Sequence, residues 1–353
     1  MMSGHRGFAL ALTVMALVLI TALVSAALLL GAYELRLGRS SVGSEQARGA
    51  AERGAFHPLT EWTRGSYNEL AVGSLAAPDA GAVAGGASYS GSVRRLGEQY
   101  FLVESEGRSR DGEARSREGL LILLRPVELD LGGALETNRQ TSVTGSVELD
   151  GTDRAPAGWT CREPAASLPE VRIDRADMIS GAPPSWEIAE GSRSGFDELF
   201  GELAGRATVT LGEGSWRVGP VVEGGACSTG TPTNWGDPYT PGGPCGSHFP
   251  VIHMAGDVAV SGGWGQGVLL VDGYLTLTGG VEFFGVVLVR GGLAFEGSGG
   301  AVTGGAVVLG RGQEVNRLQG PASIRFSACA VERALFASAA PEVLLERGWL
   351  NLY

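Results

Sequence analysis

From Phe8 to Tyr33 no charged residue breaks the chain, and Thr13, Thr21 and Ser25 are the polar side chains of that run before Tyr33. A helix rises ~1.5 Å per residue, so ~20 such residues cross a ~30 Å hydrocarbon layer, in which only a helix satisfies its own backbone. The run therefore predicts a membrane-crossing helix. Over residues 34–63 the helix continues with interruptions. Ala47, Ala50, Ala51 and Glu52 favour it, Gly38, Gly43, Gly49 and Gly54 weaken it, and His57-Pro58 marks its expected end.

After a Gly- and Ala-rich loop at 73–86, the pattern changes to strands. Ser88–Val93, Gln99–Ser105 and Gly119–Pro126 read as a three-stranded antiparallel meander, joined at Arg94-Arg95-Leu96-Gly97 and Gly107–Gly112. Thr141–Gly151 alternates like a further strand. Residues 152–250 read as a long, loop-rich insertion with one clear helix, in which Phe196, Leu199, Phe200 and Leu203 recur on one face and Ser194 stands as N-cap.

The clearest periodicity lies in 251–310. Gly256–Gly263, Asp272–Gly280 and Gly291–Gly297 are variants of one Gly-bounded, alternating unit. Between and after them stand Val268–Val271, Val286–Val289 and Ala306–Leu309. A repeat of ~17–20 residues fits the coils of a β-solenoid, whose apolar rows are buried only when coils stack. This predicts that Leu269, Val271, Leu275, Leu277, Val287, Val289 and Leu293 share one core. The end of such a stack needs protection. Ala328–Ala339 predicts a short helix able to provide it, and Pro341 starts a second with Val343, Leu344 and Leu345. The expected fold is mainly β: a long N-terminal membrane helix, a small antiparallel sheet, then a parallel β-helix-like domain over 131–353 carrying the insertion at 152–250.

The residues at the front carry a resemblance. Arg6-Gly7-Phe8 followed by an uncharged helix resembles a type IV prepilin N-terminus. Together with Gln46–Gly54 and the meander, it is similar to PilX-type pilus assembly proteins over roughly residues 1–125. The resemblance implies a leader over 1–7, cut after Gly7 by a prepilin peptidase to leave Phe8 as a methylated N-terminus. It also implies a helical segment over 8–64 and a small pilin-like sheet over 65–130. The implied partners are the membrane, other pilin-like subunits and pilus assembly machinery. The implied place is the inner membrane, crossed once, with the C-terminal part periplasmic or extracellular. One position departs from the family: the fifth mature residue, usually Glu, is Leu12. Two plainer readings compete, a simple anchor and a secretory signal cut near Val24-Ser25-Ala26. The apolar run is long for the latter, whose core is ~7–15 residues.

Composition adds limits. Gly supplies 57 of 353 residues, every one of the 27 basic residues is Arg, and the net charge is −11. That balance, with no basic cluster interleaved with aromatics, excludes nucleic acid as a partner. Cys161, Cys227, Cys245 and Cys329 lie far apart and form no Cys-x-x-Cys. In an oxidising compartment they predict two disulfides with three possible connectivities. Cys227–Cys245 is preferred because it brackets a loop, which leaves Cys161–Cys329.

Candidate chemistry is sparse. Asp150 and Asp153 are the best carboxylates for glycoside cleavage, although Asp and Gly are ordinary turn residues. His248 and His253 have no third metal ligand nearby in sequence. The arginines 94, 95, 108, 110, 115 and 117 are either an anion patch or solvated hairpin tips. No phosphate loop or Gly-x-Ser-x-Gly is present. The sequence predicts a structural protein with no cofactor, a minor pilin-like subunit presenting a solenoid head for assembly or surface contact, with a membrane-anchored solenoid enzyme or binding module acting on polysaccharide as the alternative.

Overall fold

The computed structural model describes residues 6–62, 67–68, 70–162, 164–191, 193–310, 312–344 and 348–351. The protein is mainly β, with one long apolar helix at the N-terminus, an antiparallel sheet and a large curled parallel sheet. Its residues divide into two compact units, one drawn from 1–61, 72–122 and 343–353 and the other from 62–71 and 123–342. The last residues therefore group with the first unit, where the sequence assigned them to the solenoid.

In the first unit α1 runs from Arg6 to Thr60 without a break, 55 residues or about 80 Å. It passes through His57-Pro58, the expected stop. Pro58 lies in the last turn, so the intrahelical bond it cannot donate to the Gly54 carbonyl is lost only two residues before the helix ends. Among the described residues it is the one helix long and apolar enough to span a membrane. Residues 1–5 of the expected leader, and Thr63, lie outside the described residues.

The second half of α1 changes character. Ala47, Ala50, Ala51 and Ala55 are wholly buried at i, i+3, i+4 and i+8, a stripe of small residues. The stripe packs on the meander β1 (Ser88–Arg95), β2 (Tyr100–Arg108) and β3 (Arg115–Arg125). Phe101, Val103 and Ser105 alternate inward along β2, and Gly107 continues the row. A Cβ at Gly107 would stand 2.0 Å from the Ala47 carbonyl oxygen and 2.3 Å from the Ala51 nitrogen. Helix and strand backbones meet there, so only glycine fits. The C-terminal strand Trp349–Asn351 closes the sheet by antiparallel pairing with β3.

The second unit is the solenoid. Its parallel register runs Val251 to Val268 to Val286 to Gly305 on one side, and Val258 to Leu275 to Leu293 on the other. All seven residues expected to share a core lie in one buried cluster. The runs Val268–Val271 and Val286–Val289 do not alternate because both faces of their sheet are covered. Leu269, Val271, Val287 and Val289 point inward. Val268, Leu270, Val286 and Leu288 pack outward beneath α2 (Phe196–Ala204) and α3 (Ala328–Ala337). Gly267, Gly285 and Gly304 stack in register with φ of +114°, +136° and +136°, and a Cβ at Gly285 or Gly304 would meet the carbonyl of the preceding coil at 2.0 Å. This glycine column bends each coil at the same point.

Several expectations change here. Segment 152–250 is part of the stack, not an insertion beside it: Val171–Ile173, Ile188–Glu190 and Val209–Leu211 all join the parallel sheet. The coils are also out of chain order. Residues 135–150 begin in the middle of the stack and wind outward through 171–190. After α2 the chain resumes at the opposite end with 209–218 and winds back, until 300–326 docks on 135–150. Buried Asn316 fastens that seam, donating to the hydroxyls of Thr137 and Thr141 and accepting from Leu293 N–H. Buried Arg139 crosses it as well, donating to the carbonyls of Gly291, Arg290 and Gly312.

Three local readings are corrected. Gly195, at φ +74°, occupies the N-cap of α2 in place of Ser194. Helix α3 covers the outer sheet face instead of capping an end. Ala340–Val343 is a strand and not the start of a helix, and Leu345 lies outside the described residues.

Candidate functional site

The residues singled out in the sequence do not converge on one catalytic centre. Gly7 and Phe8 lie in the first turn of α1. Asp150 accepts from Thr152 N–H and pairs with Arg154 at 3.4 Å. Asp153 accepts from Ala328 N–H and Ala165 N–H, tying the start of α3 to the coil. Both carboxylates are spent on turns. His253 meets Asp272 at 2.8 Å, whereas His248 is held by the Asn234 backbone, so the two imidazoles do not share a site. Burial pushes the His248 imidazole below its usual range. Among the described residues no group of three or more His, Cys, Asp or Glu is placed to hold a metal.

The arginines of the meander divide in the same way. Arg117 and Arg108 each reach Glu106 at 2.9 Å. The Arg117 hydrogen bond, with help from Arg108, holds that carboxyl below the usual range despite some burial. Arg95 donates to the carbonyls of Gly97 and Glu98. These cations serve the hairpin ends and are not gathered into an anion pocket.

A cleft of about 620 Å³ lies at one corner of the solenoid, lined by Arg139, Asp257, Asp272, Tyr274, Arg290 and Glu314. Its charges satisfy one another. Arg290 pairs with Asp272 and Asp197, Arg139 with Glu314, and Asp257 accepts from Tyr274 N–H.

A partly exposed aromatic surface lies at the Cys227–Cys245 loop. The disulfides are Cys227–Cys245 and Cys161–Cys329. Buried Asn234 donates to the Val221 and Ser228 carbonyls, and buried Gln266 donates to those of Gly246 and His248, so the loop is held at both ends. Trp159 donates to the Pro238 carbonyl at 2.8 Å and packs edge-on against Phe249. Next in the chain, Tyr239 stands at 5.6 Å from both Trp264 and Phe284, nearly perpendicular to each. Its hydroxyl donates to Glu282. Burial and that carboxylate push the phenol well above its ordinary range, so it stays protonated. Phe284 and Trp159 are buried, whereas Trp264 is 40% and Tyr239 52% exposed.

The pairing register extends this surface into a strip. Trp264 lies beside Glu282, Glu282 beside Ala301, Ala301 beside Ser323 and Ser323 beside Glu148. Phe283, Val302, Ile324 and Leu149, one residue further along each strand, face the core, so the strip faces outward. The sequence did not reveal it, because Tyr239 comes from a loop and meets Trp264 only through the coil. The outward parity of Trp264 in the strand Val258–Val271 was the available signal.

One long apolar helix joined to an antiparallel sheet, followed by a curled parallel sheet, defines the class of architecture. No protein-family profile matches the chain, and no curated protein matches it. Among solved structures, the competence-associated pilin ComZ from Thermus thermophilus is similar over 88% of this chain and 97% of its own, at 11% identity and a TM-score of 0.26. That score is too low to equate the two folds.

Proposed function

We propose that this protein is a pilin-like subunit, anchored by α1 in the inner membrane, that presents the solenoid outside it. The observation that supports this most is the double nature of α1. One unbroken helix is exposed and apolar through Val24, Leu28 and Leu30, then becomes the small-residue spine of an antiparallel sheet. A signal peptide has no use for that second half. The reading includes cleavage at Gly7–Phe8 by a prepilin peptidase, as the Gly-Phe junction and uncharged run suggest.

Leu12 makes it a minor subunit. In pilin-like filaments the fifth-position Glu is thought to pair with the N-terminal amine of a neighbour, in apolar surroundings where an unpaired charge is costly. Leu12 has no carboxylate to offer. Such a chain suits a position that needs few stacking contacts, such as a filament tip or an initiating complex. Sheared filaments quantified against the major subunit test this. The expected result is a small fraction of a copy per major subunit. One-to-one stoichiometry would refute the minor role, and complete retention in the membrane would favour a plain anchor.

The head's role in this reading is binding and not catalysis. The outward carboxylates of the strip are engaged: Glu148 pairs with Arg325, Asp150 with Arg154, and Glu282 accepts from the Tyr239 hydroxyl.

A further inference from the structure

We propose that Trp264 and Tyr239, with Glu282, form the aromatic end of a binding strip for an uncharged polysaccharide chain laid across the coils of the solenoid. The inference rests on the head alone and is independent of how α1 is processed or assembled.

The two exposed rings are held in place before any ligand arrives. Tyr239 is braced by Trp264 and Phe284, its hydroxyl is committed to Glu282, and its N–H donates to Asp237. Beneath it Phe284 stacks on Trp159, which carries the Arg333 guanidinium 4.8 Å from its ring. A surface that needs no ordering on binding keeps more of its interaction energy. Exposed aromatics with one polar tip suit a ligand that is apolar on one face and wet on its edge. A sugar ring has that form, with C–H bonds on its faces and hydroxyls at its rim.

The remainder of the strip indicates which kind of sugar. From Trp264 to Glu148 it crosses four strand steps, about 19 Å, long enough for several units of a linear chain. Two of its carboxylates are paired in place, Glu148 with Arg325 at 2.7 Å and Asp150 with Arg154, and Glu282 accepts from the Tyr239 hydroxyl. Such groups offer donors and acceptors to hydroxyls but no net attraction for an anion. A polyanion would also meet a chain of net charge −11. A partner helix would need a contiguous apolar groove, whereas here two rings are followed by Glu282, Ala301, Ser323 and Glu148. An uncharged glycan satisfies all of these conditions.

The test uses the full chain in a detergent without a sugar head group. Cellohexaose and chitohexaose are titrated separately, with binding followed by calorimetry and tryptophan fluorescence. Hexagalacturonate serves as the charged control. The proposal expects saturable binding of at least one neutral hexasaccharide. Trp264→Ala and Tyr239→Ala each weaken it at least tenfold, and Tyr239→Phe retains most of it. The melting temperature of each variant should match the parent, which separates a lost contact from a lost fold. Either neutral sugar supports the proposal, and the difference between them reports whether an N-acetyl group is read. The proposal is overturned if neither binds, if hexagalacturonate binds more tightly, or if Trp264→Ala binds as the parent does. It also fails if Tyr239→Phe loses as much as Tyr239→Ala, since the ring would then not be the contact.

Discussion

Leu275→Asp is expected to abolish the cooperative unfolding of the solenoid, or to lower its melting temperature sharply. Leu275 is fully buried, and its register neighbours Val258 and Leu293 are buried above and below it. The new carboxylate would have no partner in that row. It would ionise at a large desolvation cost or stay protonated with its polar atoms unsatisfied, and either costs on the order of several kcal/mol. Domains are stable by only ~5–15 kcal/mol, so the loss is a large fraction of the total. Thermal unfolding of the full chain in detergent, followed by near-ultraviolet circular dichroism, measures it. An unchanged melting temperature would show that Leu275 is not in the core. The same change at Thr276, which is half-exposed on the other face of that strand, should cost far less.

Replacing both Cys161 and Cys329 by Ser is expected to destabilise the head more than replacing Cys227 and Cys245. The first pair spans 168 residues and the second 18. On the chain-entropy account, closing loops of these lengths stabilises by roughly 5 and roughly 3 kcal/mol, before native-state effects. The architecture adds a second reason. Cys161–Cys329 lies beside the seam at which coil 300–326 docks on coil 135–150. There Asp153 also caps Ala328 N–H, and Arg333 donates to the Thr160 carbonyl. Denaturant unfolding of the two double variants measures the order, and the reverse order would contradict this account of the seam.

The sequence disclosed those parts of the fold in which one residue pattern repeats. The unbroken apolar run of α1, the alternation of the meander and the Gly-bounded repeat of 251–310 are each long enough to be read, and each forms the element it predicts. Segment 152–250 reads as an insertion because most of its coils touch the sheet through strands of only two or three residues, such as Val171–Ile173 and Ile179–Ser180. Strands that short carry no period, and their partners at Leu135 and Thr141 lie outside the segment. The order of coils was hidden for a related reason. A parallel stack is indifferent to which coil comes first in the chain, so nothing local in Thr141–Thr144 announces that it sits beside Asn316–Gln319. The extent of α1 shows the limit of single-residue signals. Gly49 and Gly54 weaken a helix in isolation, but Gly54 also lets Tyr89 and Ser105 approach it. The candidate site was legible only in its disulfides. The Tyr239–Trp264 surface depends on a loop laid over a coil, a juxtaposition that exists only once the chain has folded.

The central claim, that α1 is a pilin-type helix and not a secretory signal or an ordinary anchor, is tested most directly by the mature N-terminus. The chain is recovered from the membrane of cells with an active prepilin peptidase, and its N-terminal peptide is measured by mass spectrometry. The account predicts a chain that begins at Phe8 with a methylated amine. A chain that begins near Ala26, or one that retains Met1, would contradict it.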